Sequence, residues 1–555
     1  MTSTTATPHS DAGSGERLTR KLGVIGLLFA SVGSIIGSGW LFGAMEAAST
    51  TGPSAILSWA IGGVMIAFIG LVFAELGSMF PIAGGVVRFP HLAFGSFASY
   101  TGGWTTWVAV ATTAPIEVEG ALQYGTRYAD FTTSKTVDGQ QVHTLTTLGL
   151  VVAVALMAVF VVINYIGIAW FARINNVLVT WKLVIIVVVI VAFLLTTFHG
   201  SNLTSQGFFT HGAQGVFSAV ATSGVVFSYL GFRQAIELAG EGSRAKRDIP
   251  LAVLGSLVIT GIIYVLLQLA FVVAIDPGKL ADKGWDGVAD TLSNPAGPLA
   301  SLASALGMSW LAVTLYVDAV VSPGDTGLIY TTVASRLSYA MGRNGNAPRA
   351  LSKTTRRGAP WVSLLVAFAI GIIAFLPFPS WQQLVGFITS ASVLSFGAGP
   401  LVVGALRRRL PDQHRGFRVP GRDLIPILGF ASSNLIVYWT GWTTDWKLFV
   451  AIAFGLVLLG VREVFTPDTP PLELKAGAWV LPWLAGLAVM SYIGDFDGGR
   501  GWVTFWPANA IVVVFSVAIY YFGISCALPT ERIEEHVAEA EREAEDEEET
   551  VGGVA

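Results

Sequence analysis

Residues 31–43 read SVGSIIGSGWLFG and lie inside an apolar run, Gly23 to Ala48, long enough to cross a bilayer. Four glycines fall there: Gly33, Gly37, Gly39 and Gly43. A glycine inside a helix costs about 1 kcal/mol relative to alanine. The Gly37-Ser38-Gly39 triplet therefore weakens the helix near its middle. Unwinding there frees backbone N–H and C=O groups, tolerated at membrane depth only where they line a cavity or meet a ligand. The stretch thus points to a binding site halfway across a membrane. Gly33/Gly37 and Gly39/Gly43 are also GxxxG pairs, which permit close helix packing. Taken alone, the stretch favours packing; a second broken helix in an equivalent place reverses that balance.

The composition supports the membrane reading. The chain has 555 residues, a mean hydropathy of +0.65 and only 12% charged residues, and apolar runs of about 20 residues recur along it. One cysteine, Cys526, excludes an intrachain disulfide and Cys-rich metal sites. The seven histidines show no HExxH spacing, and no metal or cofactor site is expected. The first apolar run is too long for a short cleavable signal peptide.

Fourteen membrane segments are expected. The first seven are 23–48, 54–80, 97–122, 145–166, 170–196, 214–240 and 249–275. The others are 306–340, 361–378, 382–406, 424–443, 446–464, 477–494 and 506–528. With the N-terminus inside, cytoplasmic stretches hold 24 of the 32 Lys and Arg and external loops hold six. That asymmetry and the even count predict a multi-pass protein of the cell membrane with both termini cytoplasmic. Residues 531–550 carry ten Glu and one Asp against Arg532 and Arg542. This acidic tail reads as a solvated end, a short helix or disordered.

Segment 6 carries its own break signal, Val225 to Phe232 (VVFSYLGF). Segments 1 and 6 begin two five-segment halves, and the odd number of crossings between them inverts one half against the other. Interrupted helices at matching positions of inverted halves are the best sequence pointer to a transporter binding site. The expected divisions are a polar tail (1–22), a first half (23–200), a second half (201–410), four further helices (411–528) and the acidic tail (529–555).

Five stretches in order now become familiar: IIGSGWLFG (35–43), ELGSMFPIAGGVVRFP (75–90), FSYLGFRQAIELAGEGSRAKRDIP (227–250), ASRLSYAMGRNGNAP (334–348) and RRRLPDQHRGFRVPG (407–421). Together they resemble the amino acid–polyamine–organocation transporter superfamily. The wording of segments 6 and 8 is most similar to its aspartate–proton symporter-like permeases. The resemblance implies an all-α polytopic protein with a 5+5 inverted-repeat core of the leucine-transporter type. It also implies an amino acid or related amine as cargo. The fourteen expected helices exceed by two the twelve that most such families have.

Charges inside the membrane are costly and mark function by default. Lys182 in segment 5 is the clearest. One reading is a lysine snorkelling from the helix end; the other, implied by the resemblance, is an ammonium in the space of a sodium ion. Asp318 and Asp325, seven apart in segment 8, flank Ser322-Pro323-Gly324, where a kink is expected. Either acid would serve as the partner of Lys182. Arg233 and Glu237 share a helix face and would pair; alternatively Arg233 would meet an acidic substrate. Glu75, Glu117 and Glu119 are the remaining intramembrane acids of note.

These readings converge on a secondary active amino acid transporter, a proton symporter working by alternating access. Its partners would be an amino acid, protons and the lipid bilayer, with no nucleic acid. Substrate would meet Ser34, Ile36, Gly37, Ser38 and Gly39 on segment 1, and Phe227, Ser228, Tyr229, Gly231 and Arg233 on segment 6. The resemblance makes Phe227 an aromatic gate and Lys182 the proton-coupling group. An exchanger is the near alternative; a chemosensor of the same fold and an ion channel are more distant. An enzyme is not expected, since no HExxH or GxSxG occurs.

Overall fold

The computed structural model describes residues 22–552 apart from 83, 138–139, 167–168, 243, 344–346, 356–358 and 466–470. The expected tail before residue 22, and Arg356 and Arg357 of one basic cluster, lie outside the described residues. Each of the fourteen expected segments coincides with a helix or a broken helix. Helix α1 comes in two halves, α1a (Val24–Ile35) and α1b (Gly39–Thr51). Then follow α2 (Ala55–Met79), α3 (Gly85–Gly125), α4 (Thr147–Ile166) and α5 (Ala169–Thr196). Helix α6 is also split, into α6a (Gly212–Thr222) and α6b (Phe227–Glu237), bent by 47°. The remainder are α7 (Ala245–Ala274), α8 (Ser309–Arg343), α9 (Trp361–Ala374), α10 (Trp381–Arg409), α11 (Leu424–Thr440), α12 (Trp442–Phe465), α13 (Val480–Ile493), α14 (Phe505–Cys526) and a C-terminal α15 (Thr530–Gly552). Among the described residues, seven helical stretches are long and apolar enough to cross a membrane, or eight if bent α6 counts as one span. The protein is all-α and polytopic.

Helices five positions apart in the chain meet: α1 packs on α6, α2 on α7 and α3 on α8. Helix α10 lies along α3, and its most apolar 18 residues are wholly buried. A helix buried all round belongs at the centre of a large protein. The added helices are tied in by polar contacts. Asn434 on α11 donates to Ser516 on α14 at 2.8 Å and accepts from Trp483 on α13 at 2.8 Å. Asp445 on α12, fully buried, accepts from Ser390 on α10 at 3.1 Å and from Ser491 on α13 at 2.8 Å. In a bilayer such bonds and close packing replace the hydrophobic drive between helices.

Some boundaries differ from expectation. Helix α3 starts at Gly85, twelve residues before the expected start, and turns sharply at Gly95, whose φ is 72°. Helix α8 continues as one helix through Pro323, where a kink is expected. The loop between α3 and α4 holds an antiparallel hairpin, β1 (Thr132–Val137) and β2 (Gln140–Leu145), with Thr132 opposite Leu145.

The first turns of the acidic tail dock by one face, while Glu531, Glu534, Glu535 and Glu539 on the other face are exposed. Ile533, His536, Val537 and Ala540 recur at helical spacing and are buried. His536 stacks on His91, ring centroids 4.4 Å apart, and its Nδ1 lies 3.1 Å from the His91 carbonyl oxygen. Arg532 reaches Glu473 at 3.2 Å, and the backbone N–H of Leu528 donates to the Ala93 carbonyl at 3.0 Å. His91 precedes the Gly95 turn and lies outside the expected span 97–122. Burial, then the charge of His536, then that of Arg88 hold its imidazole below the usual histidine range, against Glu473 and Glu539. A histidine depressed on docking favours the docked form fully above the free value of about 6.5 and loses that preference as pH falls towards its docked pKa. Hydrogen exchange of residues 530–542 is expected to quicken as pH is lowered from 7.5 to 5.5, after correction for intrinsic rate. His91→Gln is expected to flatten that response.

Candidate functional site

The break in α1 leaves backbone groups of opposite polarity on its two sides. Ile36 has φ −88° and ψ 84°, outside the helical region, and α1b resumes at Gly39. On the carbonyl side, the Gly33 carbonyl accepts from Lys182 Nζ at 2.8 Å. Thr326 on α8 reaches the carbonyls of Gly33 at 3.4 Å and Ile36 at 3.3 Å, and Tyr264 on α7 reaches that of Ile35 at 3.3 Å. On the amide side, Ser38 N–H donates to Glu117 Oε2 at 2.6 Å. A cation thus sits at the negative end of α1a and a carboxyl at the positive end of α1b, the arrangement helix dipoles favour.

Lys182 is fully buried, so its ammonium does not snorkel to an interface. It pairs with Asp325 Oδ2 at 2.6 Å and donates to Thr326 Oγ1 at 3.1 Å. Asp318, the other acid on that face of α8, instead accepts from Trp181 Nε1 and Ser322 Oγ, each at 2.8 Å. The structure therefore assigns Asp325 as the direct partner. Removing one member of such a pair leaves the other buried and uncompensated, at a cost of about 3–5 kcal/mol.

The four glycines divide their roles. A Cβ on Gly33 would sit 2.6 Å from Val179 of α5, and one on Gly43 would sit 2.9 Å from Trp59 of α2. These two serve helix packing. A Cβ on Gly37 would strike the Glu117 carboxyl, and one on Gly39 would strike Ser228 Oγ and press on Phe227. These two let the acid and the second broken helix reach the backbone. Packing thus accounts for one glycine of each GxxxG pair, Gly33 and Gly43, while Gly37 and Gly39 admit polar side chains.

The break in α6 faces the one in α1. Its chain turns at Gly224, φ 83°, and continues as a tight 3₁₀ turn from Phe227 to Arg233. Gly231 lies directly against the backbone of Ser34 and Ile35. Ser31 of α1a crosses to the Phe232 carbonyl at 3.2 Å and accepts from the Ala235 N–H at 3.1 Å. Ser34 and Ile36 are buried beside this contact. Phe227 and Ser228 face Gly39. Tyr229 points away, its hydroxyl 3.2 Å from the Trp59 carbonyl and its ring against Trp59 and Tyr264. Arg233 pairs with Glu237 at 2.8 Å and lies over the Phe396 ring at 5.6 Å, so its charge is already partnered.

Sequence reasoning named Glu117 only as one acid among several, and missed Ser31, Thr326 and Trp381. Trp381 Nε1 donates to Ser38 Oγ at 2.8 Å. Away from the breaks, Glu75 is buried near the C-terminal end of α2, bonded to Arg407 and, at 2.7 Å, to the Val419 N–H. That strap joins α2 to the end of α10 and the following loop. Among the described residues no group of three or more His, Cys, Asp or Glu could hold a metal ion.

Comparison with known proteins bears on this geometry. A family model described as amino acid permease matches residues 22–529. The glutamate/serine transporter AimA of Bacillus subtilis (strain 168) is 36% identical over 531 residues, covering 94% of this chain and 96% of the relative. The aspartate-proton symporter of the same organism is 34% identical over 519 residues, covering 93% and 98%. A branched-chain amino acid permease, BcaP, also from that organism, is 27% identical over 462 residues, covering 80% and 94%.

The contact between the two breaks is testable in isolation. Gly231→Ala forces a methyl into the α1 backbone and is expected to destabilise by about 1–3 kcal/mol, lowering the melting temperature in detergent. Gly324→Ala, in α8, meets nothing within 4 Å. It is expected to melt at or above the wild-type temperature, since alanine is the better helix former by about 1 kcal/mol.

Proposed function

The chain belongs to the amino acid permease family and is an amino acid transporter, not an enzyme; on that premise we propose that it is a proton-coupled symporter working by alternating access. The observation that carries this reading is Lys182. Its ammonium, with Asp325, holds the carbonyl end of the α1 break from within the protein. That leaves no need for a bound metal cation there. A lysine, unlike an arginine, can lose and regain its proton, so a lysine at this position suits a proton-coupled cycle.

The substrate carboxylate would take the amide end of the break, at Ser38 and Gly39. Glu117 holds Ser38 N–H in this structure. Two ionised carboxylates cannot share one donor without strong repulsion, so an incoming substrate carboxylate displaces Glu117 or meets it protonated. The substrate amine would meet carbonyls freed at the two breaks, with Phe227 closing over it. Two relatives named for glutamate and aspartate support an acidic substrate. Arg233 would then turn from Glu237 towards the substrate side chain.

The same reading takes residues 23–200 and 201–410 as two inverted halves and 411–528 as an added block. It places both termini in the cytoplasm, by the charge asymmetry. The runner-up, an obligate exchanger, is separated by loading vesicles with substrate, since an exchanger needs it on both sides.

In proteoliposomes, an inward proton gradient is expected to drive glutamate or aspartate uptake. Lys182→Ala and Lys182→Arg are both expected to abolish the response to the gradient, the second because guanidinium scarcely releases its proton. An unchanged pH response in Lys182→Ala would remove Lys182 from the mechanism. Arg233→Gln is expected to weaken acidic substrates about tenfold more than neutral ones, the effect of losing about 1.4 kcal/mol of a charge-assisted bond. An equal loss for both would make Arg233–Glu237 a structural pair alone.

A further inference from the structure

Helix α10 begins against both breaks, and its first two side chains reach α1b. Trp381 Nε1 donates to Ser38 Oγ at 2.8 Å, and Gln382 Nε2 donates to Glu46 Oε1 at 2.9 Å. Ser38 and Glu46 stand about two helical turns apart. The indole also lies between the two broken helices. Its centroid is 4.9 Å from Phe42 on α1b and 6.2 Å, edge to face, from Phe227 on α6b. A Cβ on Gly224 would sit 2.7 Å from the indole ring, so the glycine that turns α6 also admits Trp381. The tryptophan is buried to 99%, whereas Gln382 stands at the rim, partly exposed.

We infer that Trp381 and Gln382 form the outer latch of the site, pinning α1b to α10 and sealing Ser38 and Ser228 from the side towards which α1b points. The direction called outer rests on the topology proposed above. The most apolar 18 residues of α10 are wholly buried and the helix packs along α3, so α10 is taken as the fixed side of the latch. The half-helix α1b is the side that must part from it if solute is to reach Ser38. Only two side-chain hydrogen bonds and one ring contact hold that seam at its inner edge. Bonds of this strength are made and broken readily within a transport cycle. The latch also couples closure to the site. Ser38 Oγ accepts from Trp381 while Ser38 N–H serves Glu117, so a solute that rearranges residue 38 acts on both sides at once.

The test uses full-length protein with Cys526→Ser, the sole native cysteine removed, and Ser228→Cys as a probe beneath the indole. A membrane-impermeant thiol reagent is applied to right-side-out and to inside-out vesicles. Trp381→Phe keeps a ring but loses the N–H; Gln382→Leu loses the second donor at the less crowded rim. Each is expected to raise labelling from outside about tenfold, the factor carried by one lost hydrogen bond of this class, and the double variant more. Gel filtration checks that each variant is folded, and Gln382→Leu carries the test if Trp381→Phe is not. Unchanged labelling from both faces in folded variants overturns the latch. A rise from the inner face alone keeps the latch and overturns the topology. Labelling needs no substrate, so its outcome is independent of which solute is carried.

Discussion

A helix interrupted at membrane depth must dispose of backbone groups that water cannot reach, and the structure is arranged around how it does so. Lys182, backed by Asp325 and Thr326, takes the carbonyl end of the α1 break. Glu117 takes the amide end. An amine and a carboxyl thus stand at the ends of the break where the half-helix dipoles favour positive and negative charge respectively. Helices α3, α5 and α8 are held where they are because they supply those groups.

The second break is satisfied differently. Gly231 lets α6b lie on the α1 backbone, and Ser31 bridges the two chains. No ion is used at that contact. One break is thus met by ionisable side chains, the other by close backbone contact. The appended helices stay apart from this chemistry and are tied by their own polar contacts through Asn434 and Asp445.

Much of this was legible in the sequence because it depends on local pattern. Apolar length located the helices, glycine spacing located the first break, and the rarity of charge in apolar runs singled out Lys182. What was not legible depends on packing between distant segments. Asp318 and Asp325 share a face of α8, and only their height along the helix, about 10 Å apart, decides which meets Lys182. Trp381 lies 343 residues from Ser38 and Glu117 lies 79 away, and no local periodicity joins them. Two signals were present but unread. Asp138-Gly139 between polar, β-branched runs is a hairpin turn signal, and strands flank it on both sides. The spacing of Ile533, His536, Val537 and Ala540 is that of a helix with one face to bury. The early start of α3 was hidden by Pro90 and Gly95, residues that usually end a helix.

The central claim is that an ammonium of the chain itself stands where a bound cation would otherwise serve the α1 break. Binding to the purified protein tests it most directly. Glutamate and aspartate affinities are measured by thermal shift or calorimetry at fixed pH and ionic strength, with sodium replaced by choline. The account predicts the same affinity in both salts for the wild type. Binding that strengthens markedly as sodium is restored would contradict it, because the site would then require an ion that Lys182 is held to replace.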